Sequence, residues 1–255
     1  MPWEQSNSAS FAARHGTGDT ADAQRILRSL EHVRVQLEQL VERLPEEITV
    51  VLHPGMAALA LSNPLVVTRW ALTAPSGRRY VTGWAGRREI HVLSPEALRD
   101  RGSEVSGSHE MLRLSAAALY AGRTFAESAW DLGGGPAIVR SLAQGRRELR
   151  WAWHLEGAGR WFAGQTAHAR PAIARRLREG RRPSFPPSLR DAPLLGGTVF
   201  DLLMQYEGEP AAVALATGPD GRGPVAAIER AFRARLQSVD AEWRLHLGRL
   251  ASPDR

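Results

Sequence analysis

"SHEMLR" occupies residues 108–113, and its reading decides what fold the rest of the chain is expected to make. A histidine followed by a glutamate opens a pattern in which a second histidine, four residues on, shares the first one's helical face. Two such imidazoles hold a divalent metal, and the intervening carboxylate acts as base toward metal-bound water. Here the position is Arg113. A guanidinium stays protonated and has no lone pair to give, so Arg113 cannot be a ligand.

Composition bounds the setting. The chain has 255 residues, 43% of them hydrophobic, enough for one sizeable core. No apolar run approaches the roughly 18 residues that cross a bilayer, and the first 20 residues lack a secretory h-region. A cytoplasmic protein with no membrane partner is therefore expected. The chain has no cysteine, which leaves His and carboxylates as the only metal donors. All 33 basic residues are arginine and the net charge is only +6, although the pI is 10.9. The clusters at 77–79, 87–90, 145–150 and 175–182 are dispersed, with no aromatic-basic reading motif beside them. Solvated surface is the expectation, and nucleic acid is not an expected partner.

The apolar pattern predicts α+β architecture: a small mixed sheet of about four strands, over residues 46–95, on a mainly helical part at 100–250. Residues 1–20 lack periodicity and read as a disordered tail. An N-terminal helix over 21–45 follows from Ile26, Leu27, Leu30, Val33, Leu37 and Val41, with Pro45 as its stop. Residues 46–255 then form one domain. Its predicted strands are "EITVVLHPG" and the runs near 65–73, 78–85 and 88–94. "SHEMLRLSAAALYAG" reads as a helix capped by Ser106 or Ser108 and stopped at Gly122. A loop "DLGGGP", further helices from Ala137 onward and an irregular Pro-rich connection near 181–193 complete the reading.

A second segment gives "SHEMLR" its weight. "WHLEGAGRWFAG", residues 153–164, resembles the third-ligand helix of compact bacterial gluzincin metallopeptidases, with Trp153, Glu156, Gly157, Trp161 and Gly164 in register. His154 and Gly159 depart from that pattern. The flanking strands and the closing helices, "LGGTVFDLLMQYEG" to "EWRLHL", extend the resemblance over residues 47–248 in order. It implies a zincin-like fold in which His109 is a first metal ligand, Glu110 the general base and Glu156 the third ligand. Arg113 takes the second ligand's place, and Trp153, His154, Gly157 and Trp161 border the cleft. The family's tyrosine ahead of "GGTVF" is absent, since Leu194 and Leu195 stand there.

Two ligands hold zinc far more weakly than three, and an adjacent guanidinium repels it. The resemblance thus implies a degenerate site without cofactor, Arg113 pairing with Glu156 or Glu110, and a cleft left free for a peptide or small molecule. Zinc hydrolysis with an unconventional ligand set, metal-free acid/base chemistry by His109 and Glu110, and an unrelated α+β domain stay open at this stage. The plainer readings also stand: His109 and Glu110 as an ordinary first helical turn, Glu156 paired with Arg160 at i+4, and the tryptophans as core.

Overall fold

In the computed structural model, residues 3–104, 107–129, 150–218 and 222–252 are described. The loop "DLGGGP", residues 137–149 of the helix expected after it, and Ser106 lie outside them. The architecture is α+β, with a five-stranded mixed sheet in the order β1-β2-β3-β5-β4. The zincin-like expectation named about four strands. Two of the five come from the segment expected to be a tail, and one of the four expected strands is a helix.

That segment folds because backbone pairing replaces apolar pattern. β1 (Trp3–Asn7) and β2 (Phe11–Gly16) form an antiparallel hairpin, and β2 continues in parallel with β3 (Ile48–His53). Only Phe11, Ala13 and His15 are buried. The hairpin tip is tied down by Glu31, which accepts from Ser8 Oγ at 2.6 Å and Ser10 N at 2.7 Å. Glu31 belongs to α1 (Thr20–Glu38), whose Ala23, Leu27, Leu30, Val33 and Leu37 form the buried stripe. The helix ends seven residues earlier than the apolar pattern suggests; Val41 and Leu44 still pack against the core, but from irregular backbone.

The largest departure is at residues 56–72. "LVVTRWAL" is β-branched and reads as a strand, yet it forms α3 (Leu65–Leu72) after α2 (Met56–Ser62). Asn63-Pro64 starts it: the Asn63 side chain accepts from Leu65 N at 3.0 Å, and proline fits a helix start. Of the run at 78–85, only β4 (Gly83–Ala85) is strand, antiparallel to β5 (Glu89–Leu93). Gly83 is required there, since a Cβ would overlap the His91 carbonyl oxygen and the Leu119 side chain.

Past α4 (Pro95–Arg101), the expected single helix is two, α5 (Ser108–Arg113) and α6 (Ser115–Ala129), broken at Leu114. Gly107, at φ 84°, stands at the N-cap of α5, so Ser108 lies inside the helix rather than capping it, and Gly122 lies inside α6 rather than at its end. The central helix is α7 (Ala152–Phe162), followed by α8 (Arg170–Arg178) and α9 (Ala192–Glu207). Glycines bring these backbones together. A Cβ on Gly159 would overlap Ala118 O and Gly122 N of α6, and one on Gly157 would overlap the Gly196 backbone of α9. Helices α10 (Glu209–Thr217), α11 (Pro224–Phe232) and α12 (Leu236–Ala251) close the core, with Trp243 Nε1 donating to Thr198 Oγ1 at 2.8 Å.

Candidate cleft between the edge strand and the helices

The α5 residues do not line the cleft between the edge strand and the helices. His109, Glu110 and Arg113 are exposed, and the helix buries Met111 and Leu112 instead. The His109 ring lies over Gly102, where a Cβ would overlap it. Arg113 makes no ion pair with Glu110 or Glu156 among the described residues; Glu156 takes its cations from Arg69 and Arg160. Trp153, His154 and Gly157 are core residues, and Trp161 is half-buried with its ring stacked 5.8 Å from that of Phe200. None of the four lines the cleft walled by α3, β4, α6 and α7.

That cleft, about 690 Å³, is walled by α3, by β4 and by facing positions of α6 and α7. Leu65, Leu72, Leu119 and Leu155 make its surface apolar, and its polar group is Glu156 with Arg69, Arg123 and Arg160. The helix opposite Glu156 is thus α6, bearing Ser115, Ala118 and Leu119, rather than α5. A wider depression of about 1100 Å³ under the end of α1 is lined by interleaved Arg and Glu side chains, a solvated surface rather than an enclosed site.

Glu156 is held by two guanidiniums. Arg69 Nη2 lies 2.6 Å from Oε1, and Arg160 donates to Oε2 from Nη2 at 3.1 Å and from Nε at 3.4 Å. Arg160 also donates to Gln165 Oε1 at 2.9 Å and to Tyr80 O at 3.1 Å, and Gln165 Nε2 donates on to Met111 O at 2.5 Å. Burial alone would raise the Glu156 pKa, but Arg69 and Arg160 outweigh it and hold the carboxyl below its ordinary range. The i+4 pair with Arg160 was legible from spacing; Arg69 was not, because its helix reads as a strand.

The upper wall is a sheet edge. Leu93 N donates to Thr82 O at 2.9 Å and Gly86 N to Glu89 O at 2.7 Å, which makes Gly83↔Val92 and Ala85↔Ile90 non-hydrogen-bonded pairs. The N–H and C=O groups of Gly83 and Ala85 therefore point away from β5. Trp84, between them, lines the cleft and stacks on His91 with ring centroids 4.3 Å apart. Behind it runs a chain the sequence did not reveal: His53 Nε2 lies 2.8 Å from His91 Nδ1, and His91 Nε2 lies 3.1 Å from Glu89 Oε2. Burial, and then the neighbouring His91, pull the His53 pKa down to about 4.

These residues do not fit a zinc ion. Each Glu156 oxygen already faces a guanidinium, His109 is not in the cleft lining, and no group of three His, Asp or Glu side chains converges among the described residues. No family model, no curated protein and no solved structure matches the chain. Among the described residues no helix is long and apolar enough to cross a membrane.

Proposed function

We propose that the chain is a gluzincin-like scaffold in which zinc catalysis has given way to binding, and that its cleft takes an extended peptide along β4. The observation that carries this reading is the position of Glu156, clamped between Arg69 and Arg160 in the cleft that the outer edge of β4 lines. A carboxylate at the third-ligand position has received fixed cations from the protein, so its charge is balanced without metal. Arg113, expected to supply that charge, is replaced in the role by Arg69.

An added strand would pair with the outward N–H and C=O groups of Gly83 and Ala85, which is where strand addition draws its affinity. The side chains it directs into the cleft would meet Leu65, Leu72, Leu119 and Leu155. Arg123 pairs with Glu127 beside the lining, and Arg69 and Arg160 share the single charge of Glu156, which leaves one positive charge in excess, so a peptide combining apolar residues with a carboxylate suits it best. Acid/base work by His109 and Glu110 gains no support from their exposed positions on α5.

The test is selection of a random decapeptide display library on the immobilised full chain. Enriched peptides should be apolar with an acidic residue. Ala85→Pro, which removes an outward donor from the edge, should abolish their binding without a loss of melting temperature. Failure to enrich any peptide, or equal binding by Ala85→Pro, overturns the reading.

A further inference from the structure

Residues 48–88 hold five arginines and no aspartate or glutamate, which leaves 28 arginines against 27 acidic residues elsewhere. Almost all of the net charge of +6 thus sits in about one sixth of the chain. Inside this stretch lies the α2–α3 hairpin, whose only charged residue, Arg69, is paired with Glu156.

The hairpin surface is apolar. Leu61 is 88% exposed, Leu65 72%, Leu72 53%, Val67 48% and Trp70 37%. Exposed apolar side chains are ordinary when scattered singly; five within twelve residues make a patch that needs a partner. Beside it the positive charge is not neutralised. The Arg78 guanidinium sits 4.7 Å from the centroid of the Trp70 ring, and Arg101 donates to the carbonyls of Arg78 at 2.7 Å and Arg79 at 3.1 Å. None of these three arginines has an ion pair among the described residues. Of the carboxylates that reach the stretch, Glu156 pairs with Arg69, Glu47 with Arg88, and Glu179 accepts from Ser76 N at 2.7 Å.

A short helical hairpin with leucine, valine and tryptophan on its surface and arginines beside them has the composition of an element that lies in a membrane interface. We infer that the α2–α3 hairpin docks on an anionic bilayer, with Leu61, Val67 and Trp70 entering the headgroup boundary and Arg78 and Arg79 meeting lipid phosphates. Lipid suits this surface better than a protein does. Leu65 and Leu72 line the cleft mouth while Leu61, Val67 and Trp70 lie outside it, so the patch wraps the hairpin, as a fluid phase can cover and one rigid face cannot. The sequence-based expectation of no membrane partner rested on the lack of an apolar run long enough to span a bilayer, which peripheral docking does not need; this inference departs from that expectation. The inference stands independently of the peptide-binding reading.

The experiment is flotation of the full chain with vesicles of phosphatidylcholine alone or mixed with phosphatidylglycerol. The chain should float with the anionic vesicles, stay behind with the neutral ones, and be released as salt is raised. Leu61→Ser with Val67→Ser should lower partitioning by about tenfold or more, from the apolar surface lost. Arg79→Ser should lower it about fivefold. Both variants alter exposed or half-exposed side chains, and an unchanged melting temperature verifies their folding. The inference is overturned if wild type ignores anionic vesicles, or if the Leu61/Val67 variant floats as well as wild type. A dimer in sedimentation that this variant splits, with no vesicle binding, would assign the face to a second copy of the chain and overturn it equally.

Discussion

Arg69 Nη2 stands 2.6 Å from Glu156 Oε1, an ion pair that joins the short helix α3 to the central helix α7. Arg160 holds the other oxygen and is itself buried, with further bonds to Gln165 and Tyr80. The two arginines should therefore differ in what their loss costs. Arg160→Ala leaves Gln165 and the Tyr80 carbonyl short of a donor and should cost ~3–5 kcal/mol in urea unfolding. Arg69→Ala, at the more open end, should cost about 1 kcal/mol. Equal costs would mean that Arg69 anchors the fold as much as it balances the charge.

Acid should find the same pair. The folded Glu156 carboxyl lies below its ordinary value of 4.5, so its contribution is complete above that pH and is lost as pH falls through the lower folded value. Glu156→Gln should remove this component, flattening the stability curve below pH 4.5 relative to wild type. Urea midpoints taken across that range read the difference.

His154 works on a different part of the pH scale. It is fully buried, its Nε2 is 2.8 Å from Leu215 O, and burial holds its pKa at about 4, against 6.5 when unfolded. The unfolded chain therefore takes up a proton below pH 6.5 that the folded chain refuses until about pH 4. Stability falls across that window by ~1.4 kcal/mol per pH unit, approaching about 3 kcal/mol in total. His154→Gln keeps a donor for Leu215 and cannot titrate, so its deficit at pH 7 should shrink or reverse by pH 5. A pH-independent difference between the two proteins would show that His154 is not the group responsible.

Much of the core was legible because its signals are local and periodic. The α1 stripe, β3, β5 and the closing helices follow from apolar spacing and turn residues. The misses share one physical cause, that tertiary partners decided the outcome. β1 has no apolar alternation and exists because β2 pairs with it. The β-branched α3 is helical because Asn63-Pro64 starts it and Arg69 anchors it to Glu156. For the site, Glu156 and its Arg160 partner were readable from helical spacing, whereas the exposure of His109 and Glu110 on α5 was not. Glu110 at that position is what a helix N-terminus favours in any case.

Close helix packing supplies a prediction that separates three glycines. Gly159 lies where α6 and α7 touch, and a Cβ there would overlap Ala118 O and Gly122 N. Gly159→Ala must force the helices apart and should cost ~3 kcal/mol or more, the upper range for overpacking. Across the same crossing, a Cβ on Gly122 would come 3.2 Å from Leu155 O, so Gly122→Ala should be tolerated far better. Gly248→Ala, inside α12 with open space around it, should stabilise by ~0.5–1 kcal/mol through helix propensity. Thermal denaturation of the three variants should rank them in that order.

Arg113→His would complete the HExxH spelling at residues 109–113, and the geometry makes its outcome specific. The new imidazole would join His109 on the exposed face of α5, while Glu156 stays in the cleft between Arg69 and Arg160. Two histidines four apart on a helix can bind a divalent ion weakly without any third ligand. Arg113→His should therefore gain at most loose zinc binding, and the further change Glu156→Gln should leave that binding unaltered. Calorimetric titration of Zn²⁺ into both variants decides it. Tight 1:1 binding that disappears with Glu156→Gln would mean that α5 and α7 converge on one ion, and that Arg69 gives way to metal once a second histidine is present.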